Sequence, residues 1–271
     1  MNYFNSTVTY LCKNFWFLMA FSILPALFVG LLLNPFQFIQ FLFNYPSMSL
    51  SGFNDFFFGI IAVDWLKIFI GIVGIIFLSA VVSVILGKIE IHFRTGKKSL
   101  SLKDESFNNN FKSVFLNIFV VFILYFVVML LQSLLIMLFD FVFAKNGLKV
   151  ISTIFVSVTG FVALFMISRV VAFCGLMSAH MAIMGTGFFS AMVDASQAMH
   201  KRPFQNSIAS FVPFLSGAVL TIVGTLLSLT WLSSTISFVF IIPFVCCLTM
   251  ITFFDYYGIA RYDARCYYNL K

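Results

Sequence analysis

The chain has 271 residues, of which 62% are hydrophobic and only 9% are charged. Soluble domains carry about a quarter charged residues, so this composition excludes a soluble fold, and its apolar richness also excludes a disordered chain. The net charge of +7 does not indicate nucleic-acid binding, because a basic excess in a membrane protein usually records its topology. We therefore predict an all-α, polytopic membrane protein with a single domain, residues 1–271.

The predicted membrane spans follow from the apolar runs. The first 14 residues are of mixed polarity and lack the basic start of a signal peptide, so we expect an uncleaved first span. A bilayer of ~30 Å requires about 20 apolar residues per helix, and six runs are long enough. They are Phe15–Leu33, Ile68–Leu86, Val114–Phe139, Val150–Ser168, Ser207–Leu232 and Ile236–Phe254. We expect a bundle of six transmembrane helices with short interfacial amphipathic helices.

Residues 34–63, between the first two spans, admit three interpretations. Phe36, Phe38, Phe41 and Phe43 suit a segment that lies at the membrane interface. Residues 53–63 could instead lengthen the second span, or the whole segment could be re-entrant. At the other end of the chain, the connection between the last two spans is predicted at Ser233–Thr235. Such a short connection implies an antiparallel helical hairpin.

The distribution of basic residues predicts the orientation. Only Lys67, Lys145 and Lys149 of the 16 basic residues fall in the loops that follow the odd-numbered spans. Basic residues are enriched in cytoplasmic loops, so the other loops and both termini are predicted to be cytoplasmic. The protein is accordingly expected in the cytoplasmic membrane as a multi-pass chain.

The stretch Gly187–Phe204 is an island of mixed polarity before the fifth span. Its helical spacing predicts an apolar stripe and an opposite polar stripe, as in a helix that lies on a membrane surface. The apolar stripe consists of Phe188, Met192, Ala195 and Met199, flanked by Phe189 and Val193, and the polar one of Ser190, Asp194, Gln197 and Lys201. The residues predicted to contact headgroups or a partner are Lys97, Lys98, Asp194, Lys201, Arg202 and Phe204.

A weak internal repeat accompanies these features. The first, third and fifth spans are each preceded by a mixed-polarity segment that ends in polar residues and a phenylalanine, at Phe15, Phe111 and Phe204. The pattern predicts three units, each made of a juxtamembrane helix, an outward span and an inward span.

Small and polar residues followed by K-x-x-F before an apolar span are carried by Ala195, Ser196, Ala198, Lys201 and Phe204. This pattern resembles the motif of a broad family of bacterial six-span membrane proteins, which includes the YciC-like proteins and the membrane domain fused to some glycerophosphodiester phosphodiesterases. The aromatic, basic tail, with Asp263 and Arg265 as D-x-R, is also similar. The resemblance implies a six-span layout and no catalytic residues, and we expect no hydrolase domain.

No catalytic, cofactor-binding or metal-ligating residues are predicted. The sequence contains neither a GxxxxGK[ST] loop nor an H-E-x-x-H motif. His92, His180 and His200 are all predicted on the cytoplasmic side at irregular intervals, with His180 on a loop after Cys174, whereas a metal needs converging ligands. Ser196 and His200 are helical neighbours, but no nucleophile elbow surrounds them. We therefore expect neither an enzyme nor a cofactor.

Three functions remain, in order of preference. The first is a membrane accessory or scaffold protein of the bacterial envelope, which acts through membrane lipids or through another membrane or cytoplasmic protein. The alternative is a transporter or scramblase-like pathway for a lipid or small apolar solute, favoured by prolines in three spans and by small residues such as Gly217, Thr221 and Gly224. An intramembrane enzyme ranks last. Gln132 and Ser133 are expected to hydrogen-bond to a neighbouring helix.

Overall fold

The structure is a computed structural model that describes residues 3–30, 35–48, 55–57, 59, 65–98 and 106–263. Over these residues the chain is all-α, which confirms the predicted fold class. The helices are α1 (Tyr3–Lys13), α2 (Phe15–Phe28), α3 (Gln37–Asn44), α4 (Trp65–Thr95), α5 (Ser106–Phe139), α6 (Lys149–Met184), α7 (Phe188–Lys201), α8 (Pro203–Leu226) and α9 (Thr230–Tyr256). Short helical turns follow α3 at Tyr45–Ser47 and α5 at Asp140–Ala144. Lys103, Asp64, Arg265 and Cys266 lie outside the described residues.

Five helical segments are long and apolar enough to cross a membrane, as expected of a multi-pass membrane protein. They are Ile72–Thr95, Asn110–Ala144, Lys149–Met184, Pro203–Leu226 and Thr230–Tyr256. Helices α1 and α2 pass the same test only together, and they meet at an angle of 93°. Helix α2 alone has 14 residues, or about 21 Å, which is shorter than a typical span. The count of six spans therefore stays a prediction.

Helix α9 lies at the centre of the bundle. It contacts α1, α2, α4, α6, α7 and α8, and its side chains from Phe244 to Phe254 are almost all buried. Helices α5 and α6 form a long hairpin on one side, and many of their residues are exposed apolar side chains. This arrangement is typical of a membrane bundle, in which the outer helices face lipid rather than water.

Helix α6 extends much further than predicted. It has 36 residues, or about 54 Å, and continues through Arg169, where the apolar run was expected to end. No proline occurs in the helix, and Gly185 ends it with a φ of +66°. Cys174 and His180, which were predicted on a cytoplasmic loop, therefore lie on this helix.

The turn between α8 and α9 also differs from the prediction. It lies at 227–229 rather than at Ser233–Thr235, and Ser228 adopts a φ of 57° there. The amide of Leu229 donates to the carbonyl of Gly224 at 2.8 Å and closes the end of α8. Because two of the three turn residues are leucines, hydropathy alone places the boundary too late. The antiparallel pairing of the two helices is as predicted.

The short helix α3 packs inside the bundle, so the interfacial interpretation is wrong for most of its aromatic residues. Phe36, Phe38 and Phe41 are buried, and only Phe43 of the four predicted phenylalanines is exposed. The ring of Phe36 stacks on Phe238 of α9 with centroids 5.2 Å apart. Glycines make room for this helix, because a Cβ at Gly160 or Gly217 would overlap Leu42 or Phe36. Burial between helices thus holds these rings.

The predicted helix over the island before the fifth span is present as α7, but its buried face differs from the predicted apolar stripe. Ala191, Ala195, Ala198 and Met199 are buried against the bundle, whereas Met192 is 40% exposed. Small side chains allow close approach of a neighbouring helix, so the alanines rather than the larger residues form the contact.

A separate helix stands at two of the three places where the repeat predicts a juxtamembrane helix, and the repeat itself stays a prediction. Helices α1 and α7 stand as separate elements before α2 and α8. In the middle copy, Ser106–Phe111 belongs to the first turns of α5 itself, and residues 101–105 lie outside the described part.

Candidate functional site

The basic residues predicted to contact headgroups or a partner fall into two groups. Lys97 and Lys98 follow α4 directly and are exposed, beyond Gly96 with its φ of +73°. Lys201 and Arg202 lie at the junction of α7 and α8, where Pro203 takes the first helical position of α8. Lys201 and Arg202 form ion pairs with Asp255, and neither Lys97 nor Lys98 takes part in them.

Lys201 and Arg202 converge on Asp255 near the end of α9. Their Nζ and Nε atoms lie 3.9 and 3.8 Å from Oδ2 of Asp255, and Lys201 also donates to the Asp255 carbonyl at 2.7 Å. The hydroxyl of Tyr3, on α1, donates to the same Oδ2 at 2.6 Å. Burial and this hydrogen bond both raise the pKa of Tyr3, which therefore stays a neutral donor. The cluster ties α1 and the α7–α8 junction to α9.

Asp194 lies near a second cluster, which His180 forms with aromatic side chains at the end of α9. His180 Nδ1 lies 3.2 Å from the hydroxyl of Tyr257, and the rings of Phe253 and Tyr256 pack around the imidazole. Burial raises the pKa of Tyr257, and the negative charge of Asp194 adds to that rise. In the described part of the chain no three His, Cys, Asp or Glu side chains converge as metal ligands would.

The Ser196–His200 pair has no nucleophile geometry. His200 Nδ1 lies 2.8 Å from the backbone carbonyl of Ser196, not from its hydroxyl, and His200 is exposed. The predicted interhelical bonds of the polar pair on α5 are also missing among the described residues. Ser133 donates to Met129 of its own helix, and neither side-chain polar atom of Gln132 has a partner there.

The outer face of α7 and the start of α8 expose large apolar side chains. Phe189 and Phe204 are each 76% exposed and Val193 is 51% exposed. Phe204 is thus accessible, and its predicted contact with headgroups or a partner stays a prediction.

A cavity of about 510 Å³ lies within the bundle, and no motif or hydropathy pattern predicted it. It is enclosed by α4, α5, α6 and α9, with Val29, Pro35, Phe36 and Phe38 closing one end. Ile72 lines the cavity and is 55% exposed, so the cavity approaches the surface of the bundle beside this residue. The small residues of α8 do not line it: Gly217 packs on Phe36 and Ile241, and Gly224 packs on Ser233.

Among the described residues, the wall of the cavity carries no charged side chain. Its polar groups are Asn117 on α5, Ser178 on α6, Thr249 on α9 and Tyr125, whose hydroxyl donates to the Pro35 carbonyl at 3.1 Å. The thiols of Cys174 and Cys246 also line it. Cavities of about 300–1,000 Å³ with apolar walls and a few polar groups are typical of ligand sites.

The chain gives no match in comparison with protein-family models, with curated proteins or with solved structures. The resemblance to the YciC-like family therefore rests on the short motif around Lys201 and Phe204 and on the aromatic, basic tail with Asp263 and Arg265.

Proposed function

We propose that this chain is a non-enzymatic integral membrane protein of the bacterial envelope that holds the apolar part of a membrane lipid in its central cavity. The observation that carries the proposal is the cavity itself, which has a volume of about 510 Å³ and no charged side chain among the described residues of its wall. An acyl chain has no polar group to satisfy, so it matches such a wall along most of its length.

The surroundings of the cavity favour a ligand that comes from the bilayer. The cavity approaches the surface beside Ile72, on a helix that also exposes Phe69, Val73 and Ile76. These side chains suit contact with lipid, so a chain could move between bilayer and cavity without crossing water.

Lipid that co-purifies with the protein in mild detergent tests the proposal. We expect native mass spectrometry to detect bound lipid on the wild type and much less on Val171→Phe, which fills the cavity. Val162→Phe is the matched control, because Val162 lies on the same helix and is 52% exposed outside the cavity. Equal lipid on all three proteins, or none on the wild type, would refute the proposal.

A transporter or scramblase-like pathway is the second candidate function. The approach of the cavity to the surface favours it, because a path needs an opening as well as an interior. Proteoliposomes that contain the protein should then move a fluorescent lipid between leaflets faster than empty liposomes, and Val171→Phe should abolish the gain. A rate equal to that of empty liposomes would mean that the protein binds lipid but does not transfer it between leaflets.

The accessory role would also involve the cytoplasmic face. Phe189, Val193 and Phe204 could enter the interface, while Lys97 and Lys98 attract anionic headgroups at about 1 kcal/mol per residue near the surface. Another membrane protein is the other partner that such a face could take. Co-purification distinguishes contact with lipid from contact with a protein. A protein partner should no longer co-purify with the variants Phe189→Ser and Val193→Ser, whereas bulk lipid should still do so.

Orientation is part of the same proposal: six spans with both termini in the cytoplasm, as the charge distribution and the resemblance both predict. Cys12 is exposed near the start of the chain and reports its side of the membrane. A membrane-impermeant maleimide should label it in inverted vesicles and not in intact cells. Labelling in intact cells would reverse the orientation.

A further inference from the structure

Asn117 is a lining residue of the cavity and carries a hydrogen-bond acceptor without a partner among the described residues. The residue is 1% exposed, and its Oδ1 has no hydrogen-bond partner among the described residues. The orientation of the amide is fixed, because Nδ2 donates to the Ser113 carbonyl at 2.8 Å and also approaches the sulfur of Met181 at 3.5 Å. The opposite orientation would set two carbonyl-type oxygens against each other, so the oxygen is the free atom.

Two hydroxyls belong to the same end of the cavity. Ser178 donates to the Cys174 carbonyl at 2.9 Å, which leaves its oxygen as an acceptor. Thr249 packs closely on α6, since a Cβ at Gly175 would lie 2.6 Å from its Oγ1. Asn117, Ser178 and Thr249 all lie within about three turns of the helix ends on the side of Asp255. Phe36 and Phe38 close the other end.

The chemistry of this polar end selects among lipids. An unpartnered buried acceptor favours a ligand that donates a hydrogen bond. A phosphate or carboxylate headgroup would find no cation among the described residues of the wall to offset its desolvation, and it would face acceptor oxygens. A hydroxyl group meets both conditions, because it is neutral and carries one donor.

We propose that the cavity binds a neutral, hydroxyl-bearing lipid, such as a long-chain alcohol or an acylglycerol, whose hydroxyl donates to Oδ1 of Asn117 while its chain runs toward Phe36 and Phe38. This inference rests on the proposed function and adds the class and the orientation of the ligand. A phospholipid held by its headgroup is the alternative that it excludes.

Competition photolabelling tests the inference on the full chain in mild detergent. A hexadecanol that carries a diazirine near its chain end labels the protein, and unlabelled hexadecanol, hexadecyl methyl ether and palmitate at neutral pH compete. We expect hexadecanol to compete roughly tenfold better than the ether, because the ether cannot donate. Palmitate, as an anion, should compete least. The labelled peptides should include the lining residues near Phe36 or Phe238.

Two variants assign the preference to Asn117. Asn117→Leu should bind the alcohol and the ether equally, whereas Gln132→Leu should keep the preference. Gln132 is the matched control, because it is another unpartnered buried amide of α5 that does not line the cavity. If Asn117→Leu does not fold, Thr249→Val tests the same polar end of the cavity. The comparison of alcohol with ether on the wild-type protein tests the inference without any variant.

The outcomes separate the two proposals. Equal competition by alcohol and ether, or strongest competition by palmitate, would overturn the hydroxyl-lipid inference and leave an apolar cavity that holds lipid. Labelling that no competitor reduces, spread over the lipid-facing surface, would overturn the proposed function as well.

Discussion

The hydroxyl of Tyr45 donates a 2.7 Å hydrogen bond to Oδ1 of Asp140, 95 residues further along the chain. The same hydroxyl lies 2.7 Å from Oγ of Ser152, so it joins the end of α3 to both helices of the α5–α6 hairpin. Lys149 Nζ lies 5.2 Å from the centre of the Tyr45 ring. Since α3 carries Phe38 into the cavity wall, this contact holds the closed end of the cavity in place.

Removal of that hydroxyl should destabilise the protein. Tyr45→Phe leaves the buried Asp140 without its donor, and we expect a loss of about 1–3 kcal/mol. A drop in the Tm of the purified protein measures it. Ser47→Ala is the control, because Ser47 makes only a local bond to the Asn44 carbonyl at the surface. A Tm equal to that of the wild type would show that Asp140 finds another donor.

The same contact predicts a dependence on pH. Burial, with the hydrogen bond to Asp140 next, raises the pKa of Tyr45 to about 12, above the ordinary value of 10.0. A pKa that is raised in the folded state stabilises the fold fully below the unfolded value, and this stability is lost as the pH rises through the folded value. The Tm difference between wild type and Tyr45→Phe should therefore be constant below about pH 10 and shrink toward pH 12. A difference that stays constant throughout would contradict the assignment.

The Asp255 cluster should respond to charge removal and to salt. Asp255→Asn weakens the bond from Tyr3 and removes the ion pairs with Lys201 and Arg202. We expect a loss of about 1.5–3 kcal/mol, the range for hydrogen bonds to charged groups, with a smaller loss at high salt. Thermal unfolding at two salt concentrations measures both effects.

Glu90→Gln provides the comparison for that cluster. It breaks an exposed i,i+4 pair with Arg94, whose atoms lie 2.9 Å apart, and should cost at most about 0.5 kcal/mol. Equal losses for the two variants would mean that Asp255 acts as an ordinary surface charge.

Gly175 should be required for the close packing of α6 on α9. Gly175→Ala places a Cβ 2.6 Å from Thr249 Oγ1, and overpacking of this kind costs about 1–3 kcal/mol. A second change, Thr249→Ala, removes the hydroxyl and should restore most of the lost Tm. If the double variant is no more stable than Gly175→Ala, the glycine serves another neighbour.

Composition and hydropathy predicted the fold class, the multi-pass character and the helix over Phe188–Lys201, because these depend on the local balance of apolar and polar residues. Helix ends were predicted less well. Arg169 does not end α6, since arginine is a good helix former and a single charge does not break a helix. Leu227 and Leu229 form a turn that hydropathy cannot distinguish from a span.

Long-range contacts account for the rest. The sequence marks Phe36 and Phe38 as apolar but does not indicate that Gly217 and Phe238 offer them a place inside the bundle. Lys201 and Arg202 stand out in the sequence as a basic pair, but nothing in it indicates that both pair with Asp255, 54 residues beyond Lys201. The cavity arises from four helices at once, so neither Asn117 nor Thr249 stands out in its own segment.

The uncharged wall of the cavity has an electrical consequence. A membrane potential does work of about 2.3 kcal/mol per elementary charge per 100 mV, and a neutral ligand in a wall without charges moves no charge. The potential would then neither drive nor oppose its passage. Any movement of a hydroxyl-bearing lipid through this protein would follow its concentration gradient alone, so the protein would equalise that lipid between leaflets and not accumulate it in one.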